Sequence, residues 1–280
     1  MASSTTYHGN CHCGQYRFEL TLPEITEGIT CTCGLCSKKG YLWLPLLSDT
    51  SFEVMRDDGS LISYQSAVLG DKFCNRCGTA VLGEHLDGPL RGQKLVNIRT
   101  IQGINPFQLE SSKAIRTVPT DDKRHLELLS TPSTEIPAQH TGSCHCGAIR
   151  VELLVPINDV EAKEDNCSSC VRNAYVGIYP TKDQVRIHGR ENTFEYRHGR
   201  KFSGTLYCKS CGVHVFSNVY GPPLSVFDSL PPDRKERVMA AYWKNMALQP
   251  LNARIFDGLK LESLQVKRSD EGTEGYALDP

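Results

Sequence analysis

The sequence carries no excess charge of either sign. Across 280 residues, 31 Lys and Arg balance 32 Asp and Glu, for a formal net charge of −1. A nucleic-acid surface ordinarily shows as a basic excess or a clustered basic stripe, so nucleic acid is not expected as a partner. Long apolar runs are also missing. The longest, YLWLPLL at 41–47, falls far short of the roughly 20 residues a membrane-spanning helix needs. The opening MASSTTYHGNCHCG lacks the charged-then-apolar pattern of a secretory leader. A soluble, cytoplasmic chain is the expectation, long enough for two domains with their own cores.

What is abundant is cysteine, with thirteen. The odd count, the clustering and the missing leader pattern favour metal ligation over a disulfide framework. The clusters also recur. GNCHCGQYRFEL at 9–20 matches GSCHCGAIRVEL at 142–153 in eight of twelve positions, an offset of 133. FCNRCG at 73–78 matches YCKSCG at 207–212, and Cys33 and Cys36 match Cys167 and Cys170, both at 134. An offset held that closely is the signature of a duplication. Near the close of each copy, Asn97-x-Arg99…Gly103 matches Asn252-x-Arg254…Gly258 at 155, so the second copy carries about 21 extra residues.

The copies are expected at 7–127 and 141–267, with a Ser/Thr/Pro-rich linker at 128–140 and a disordered tail at 268–280. The pattern is mainly β. Tyr16, Phe18, Leu20 and Leu22 alternate with polar residues, as a half-buried strand requires. YLWLPLL and AYVGIYP read as buried strands. One helix is expected at 233–246, after Pro231-Pro232, inside an insertion spanning 213–250. Its Val238, Tyr242 and Met246 share one face. That face must bury itself either on its own domain or across the domain interface near Cys31, Cys33 and Cys36, and the interface is the expectation.

Two kinds of cluster stand out. The first joins C-x-C to a distant C-x-x-C: Cys11, Cys13, Cys74 and Cys77, and again Cys144, Cys146, Cys208 and Cys211. Four thiolates complete tetrahedral zinc, so these quartets are expected to be structural. His12 and His145, inside the C-x-C turns, are left to a surface or supporting role. The second kind is C-x-C-x-x-C: Cys31, Cys33 and Cys36. Three thiolates leave a fourth position open, the mark of a catalytic zinc, unless a histidine such as His85 closes it or the thiols are simply packed. The second copy reads Asp165, Cys167 and Cys170 here, so its metal occupancy is open. It is expected not to catalyse but to support the first copy. About three zinc ions per chain follow.

CHCG, then CxCxxC, then CxxCG, in this order and in both halves, resembles the glutathione-dependent formaldehyde-activating (GFA) family, which also includes centromere protein V. The resemblance implies two tandem β-tent (Mss4-like) zinc domains of small antiparallel sheets. It implies structural zinc at the quartet and catalytic zinc at Cys31, Cys33 and Cys36. The implied activity is that of a carbon–sulfur lyase, joining glutathione or another thiol to formaldehyde or releasing it. Such a zinc can bind a thiol as thiolate or polarise a small carbonyl. Lys38 and Lys39 stand next to the cluster and are candidates to meet glutathione carboxylates; as ordinary surface lysines they would be solvated. The alternative is a non-catalytic zinc module binding a protein or chromatin partner, for which the inserted helix is the candidate surface. A metal buffer is disfavoured, because these cysteines sit among alternating strands.

Overall fold

The computed structural model describes residues 4–47, 50–115 and 136–270. Residues 128–135 of the expected linker and 271–280 of the expected tail lie outside the described residues. The first copy supplies β1 (Thr5–Asn10), β2 (Tyr16–Leu22), β3 (Glu27–Cys31), β4 (Trp43–Pro45) and β5 (Ser51–Asp57). It continues with β6 (Leu61–Gln65), β7 (Leu69–Cys74), β8 (Ala80–His85), β9 (Lys94–Asn97) and β10 (Glu110–Ile115). The second supplies β11 (His140–Ser143), β12 (Arg150–Leu153), β13 (Ala162–Asp165), β14 (Val176–Ile178) and β15 (Val185–His188). After these come β16 (Thr193–Tyr196), β17 (Ser203–Cys208), β18 (His214–Val219), β19 (Leu251–Asn252) and β20 (Val266–Ser269). Among the described residues the α-helices are α1 (Gly34–Lys39), α2 (Ser168–Arg172) and α3 (Pro232–Met246).

The copies have one topology. β1-β2-β5 and β11-β12-β15 form three-stranded sheets. The larger sheets run β10-β3-β4-β9-β8-β7-β6 and, with the same order, β20-β13-β14-β19-β18-β17-β16. Pairing is antiparallel except at one edge of each large sheet, where β10 joins β3 and β20 joins β13 in parallel. β2 buries Tyr16, Phe18, Leu20 and Leu22 and leaves the intervening residues part-exposed. The β7–β8 ladder slips between Lys72 and Phe73, and β17–β18 slips at the equivalent Leu206 and Tyr207. Such bulges bend a strand, and here each precedes the turn that carries a C-x-x-C pair.

The closing Asn-x-Arg element now has a physical role. Asn97 Nδ2 donates to Ala80 O and Asn252 Nδ2 to His214 O, tying β9 and β19 to their neighbours. Arg99 Nε donates to Gly40 O at 2.8 Å and Arg254 Nε to Ala174 O at 2.6 Å. Each arginine thus fixes the segment that leaves its copy's short thiol-bearing helix.

The two halves share one interface with reciprocal contacts, the arrangement of a two-fold dimer written into a single chain. Gly78, at φ +72, has no room for a side chain: a Cβ would stand 2.2 Å from the Tyr207 ring. Gly212, at φ +65, meets Phe73, the counterpart of Tyr207, at 2.6 Å. His12 Nδ1 lies 2.9 Å from Tyr196 OH, and His145 Nδ1 lies 2.8 Å from Tyr64 OH. The largest apolar cluster accordingly contains Trp43 and Phe73 of one copy with Leu206 and Val213 of the other.

Two boundaries and one packing contact differ from expectation. β18 spans His214–Val219, so the extra segment is 220–250 rather than 213–250. β20 continues to Ser269, because Arg268 pairs with Glu164 at 2.8 Å beside it, so the strand outlasts the expected domain end. Helix α3 is present but buries no residue. It lies on its own copy, with Tyr242 edge-on to Phe227 at 5.7 Å and Tyr242 and Met246 over Gly221. A modest apolar face is satisfied by this local contact, so the expected docking near Cys31, Cys33 and Cys36 does not occur.

Candidate metal centres and active site

No disulfide joins any of the thirteen cysteines. In the quartets, Sγ separations are 3.6 Å (Cys11–Cys13) and 3.7 Å (Cys13–Cys74), against 3.5 Å for both Cys144–Cys146 and Cys146–Cys208. A disulfide would require about 2.05 Å. Tetrahedral zinc with Zn–S near 2.3 Å puts its sulfurs about 3.8 Å apart. The quartets therefore fit a closed tetrahedral ion. Backbone N–H groups of Tyr16 and Ile149 point at Cys11 Sγ and Cys144 Sγ, at 3.4 and 3.3 Å, and stabilise thiolate there.

The cluster of the first copy forms where β3 meets α1. Cys31 ends the strand, Cys33 caps the helix with its sulfur facing Cys36 N, and Cys36 sits in the first turn. The end of β8 adds His85, whose ring, with Cys31 and Cys36, places ligand atoms within 4.8 Å of one another. His85 is fully buried, and neither ring nitrogen makes a geometrically sound hydrogen bond. A buried imidazole without partners beside thiols has the chemistry of a metal ligand. The Cys31 thiol is held well below the usual thiol range, first by Cys33 and then by Cys36. Cys33 is pushed up to about 12, chiefly by Cys31, and burial pushes Cys36 up. Trp43 roofs the cluster: its Nε1 donates to Cys36 Sγ at 3.3 Å, and its ring stacks on Tyr41 and fills the space above Gly83. The donors that converge are thus Cys31, Cys36 and His85, three protein ligands that leave a fourth position open, with Cys33 next to Cys31.

The neighbouring lysines are engaged within the protein. Lys38 Nζ donates to Ser143 O at 3.1 Å and Ile255 O at 2.9 Å, both in the second copy. Lys39 is buried, paired with Asp71, which also accepts from Tyr41, and its ammonium lies 4.4 Å from the Phe73 ring centre. Neither ammonium is placed to receive a glutathione carboxylate.

The second copy brings Asp165, Cys167 and Cys170 together, again within 4.8 Å, but all three are part-exposed. Asp165 Oδ1 accepts from Cys167 N, and the two sulfurs are 3.0 Å apart. Cys170 lowers Cys167 to about 7, while Cys170 itself is raised by Cys167 and by burial. The two side chains that enclose the first cluster are absent. Trp43 pairs with Asn97 and Gly177 with Asn252, so a glycine stands where the indole was. His85 pairs with Leu69 and Val219 with Ser203, so a valine stands where the imidazole was. Over Gly177 lie the hydroxyls of Tyr175 and Tyr179 instead.

The family model for the glutathione-dependent formaldehyde-activating enzyme matches residues 6–115 and 139–232. The chain belongs to that family. Both copies match, so the GFA domain is present twice. A crystal structure of a Rhodobacter sphaeroides protein is similar at 22% identity over 44% of this chain and 92% of that one, with a TM-score of 0.31, too low to bear on the fold. The GFA pattern accounts for the clustered cysteines. Sequence reasoning named His85 only as one alternative and passed over Trp43, Gly177, Tyr179 and Val219. Comparing the two copies position by position along β4/β14 and β8/β18 would have found them. Among the described residues no helix is long and apolar enough to cross a membrane.

Proposed function

We propose that the chain is a zinc-dependent carbon–sulfur lyase or synthase acting on glutathione or another thiol adduct, seated at Cys31, Cys33 and Cys36. The observation that carries this reading is the convergence of the Cys31 and Cys36 thiols with the imidazole of His85, beside Cys33, in a buried cluster of a GFA-family chain. Zinc held there supplies a site at which a substrate thiol loses its proton near neutral pH. In the synthetic direction the substrate sulfur bonds to the aldehyde carbon, the carbon–oxygen π bond opens, and the proton that left the thiol ends on the new hydroxyl oxygen. Cleavage runs these steps backwards. Trp43 and Tyr41 exclude water from the cluster, which strengthens the charge interactions within it.

The test is exchange spectroscopy of glutathione with formaldehyde, following S-hydroxymethylglutathione, on zinc-loaded protein. Wild type is expected to accelerate exchange, and Cys33→Ser to abolish the acceleration with a much smaller loss of melting temperature than Cys11→Ser. Acceleration that survives Cys33→Ser overturns the reading. So does unfolding of Cys33→Ser as complete as that of Cys11→Ser.

A further inference from the structure

The second copy keeps two of the three thiols of the first copy's cluster and loses the groups around them. Asp165 stands at the position of Cys31, Val219 at that of His85 and Gly177 at that of Trp43. The indole N–H that donates to Cys36 Sγ is thereby removed. Asp165 Oδ1 instead accepts from Cys167 N at 2.5 Å, which fixes the turn into α2. Cys167 and Cys170 are part-exposed, whereas Cys33 and Cys36 are buried. Their sulfurs face each other at 3.0 Å, against 3.5–3.7 Å within the quartets. Zinc would hold two sulfurs about 3.8 Å apart, so this pair has closed inside the metal-bound separation, towards the roughly 2.05 Å of a disulfide. We infer that Cys167 and Cys170 form a redox-active dithiol that reduces small disulfides by thiol–disulfide exchange, cycling through a Cys167–Cys170 disulfide.

C-x-x-C is the spacing at which two cysteines exchange a disulfide within one turn of chain, with one thiol attacking and the other resolving. Cys167, at the N-cap of α2, is the attacking thiol. Held at about 7 by Cys170, it is thiolate in good part at neutral pH, the range in which an attacking thiol works best. Its sulfur bonds to one sulfur of a substrate R–S–S–R, the substrate S–S bond breaks, and RS⁻ leaves and takes a proton from water. Cys170, already in contact, then gives its proton to water and bonds to the Cys167 sulfur, displacing the second RS⁻. The dithiol loses two electrons and becomes a disulfide, and the substrate gains them and becomes two thiols. A second, reducing dithiol returns the pair to its starting state. The inference does not depend on turnover at the Cys31 cluster.

The experiment uses the zinc-loaded full chain, reduced and then freed of reductant under nitrogen. It is mixed with excess 2-hydroxyethyl disulfide, quenched with iodoacetamide at intervals, and mapped by peptide mass spectrometry alongside elemental analysis. Wild type is expected to form the Cys167–Cys170 disulfide about tenfold or more faster than any other cysteine reacts, with zinc content unchanged and dithiothreitol restoring both thiols. Cys170→Ser is expected to stop at the mixed disulfide, with one mercaptoethanol on Cys167. Cys167→Ser is expected to slow reaction in the second copy about tenfold or more. The wild-type map decides the matter even where a variant fails to fold. Recovery of Cys167 and Cys170 as thiols after the quartet or Cys31-cluster cysteines have reacted overturns the inference. So does a zinc ion that wild type carries and a folded Cys170→Ser has lost, since the pair would then be metal ligands.

Discussion

Lys38 of the first copy donates to the carbonyl oxygen of Ser143 in the second at 3.1 Å, and Arg172 returns the contact through its Nε to Asn10 O at 3.2 Å. Lys38 and Arg172 are repeat equivalents, as are Ser143 and Asn10. Each thiol-bearing helix is therefore anchored to the partner copy at the strand leading into its quartet. Hydrogen bonds from a charged donor to buried acceptors contribute about 1.5–3 kcal/mol. Lys38→Met and Arg172→Met should each lower unfolding free energy by about that amount, with zinc content unchanged, as read from denaturant midpoints. A negligible shift in both would mean that the copies do not brace one another.

The glycines after each C-x-x-C pair should be equally intolerant of change. At φ +72 and +65, Gly78 and Gly212 hold a left-handed conformation that costs a side-chain-bearing residue about 1–2 kcal/mol before any contact is counted. A Cβ there would also run into the Tyr207 or Phe73 ring. Gly78→Ala and Gly212→Ala should each destabilise by more than about 2 kcal/mol. Differential scanning calorimetry of the two variants checks this, and an unchanged melting temperature in either contradicts the reciprocal interface.

This pair also shows where sequence legibility ends. CxxCG declares a tight turn that ligates metal, because ligand spacing is set within a few residues of chain. The ring each glycine meets lies more than a hundred residues away, on the other copy, and no local pattern encodes it. The alternation of Tyr16, Phe18, Leu20 and Leu22 specified β2 for the same local reason that spacing specified the quartets. Lys38 and Lys39 looked like surface lysines beside a cluster, yet one reaches the other copy and the other is buried against Asp71. The face of α3 was legible as amphipathic, but its target was not, since Val238, Tyr242 and Met246 suit any nearby apolar surface.

Acid should destabilise the second copy through a buried histidine. His214, which replaces Ala80 of the first copy, is lowered by burial from 6.5 to about 3. Above pH 6.5 it is neutral whether folded or unfolded and contributes no pH dependence. Below that value the unfolded chain binds a proton that the folded one refuses, so stability falls as pH drops from 6.5 towards 3. The slope from this group approaches about 1.4 kcal/mol per pH unit. Denaturant midpoints at pH 7, 6 and 5 should converge between wild type and His214→Ala as pH falls, because the variant lacks this proton. Parallel lines for the two proteins would contradict the assignment.

Removing one quartet ligand should be far more costly than any of these changes. Binding free energy of structural zinc is folding free energy. Cys11→Ser and Cys144→Ser should each lose one zinc and several kcal/mol of stability, enough to prevent soluble expression in the less stable case. Circular dichroism with elemental analysis on the purified variants is the check. Retention of full zinc and native melting in either would contradict a structural quartet.

The most direct test of the whole account is the zinc content of the full chain purified under reducing conditions, counted with its free thiols under denaturation. Two closed quartets and the cluster of Cys31, Cys33, Cys36 and His85 predict three zinc ions per chain, with all thirteen cysteines recovered as thiols once the metal is removed. Two zinc ions or fewer, or native disulfides detected by mass spectrometry, would contradict it.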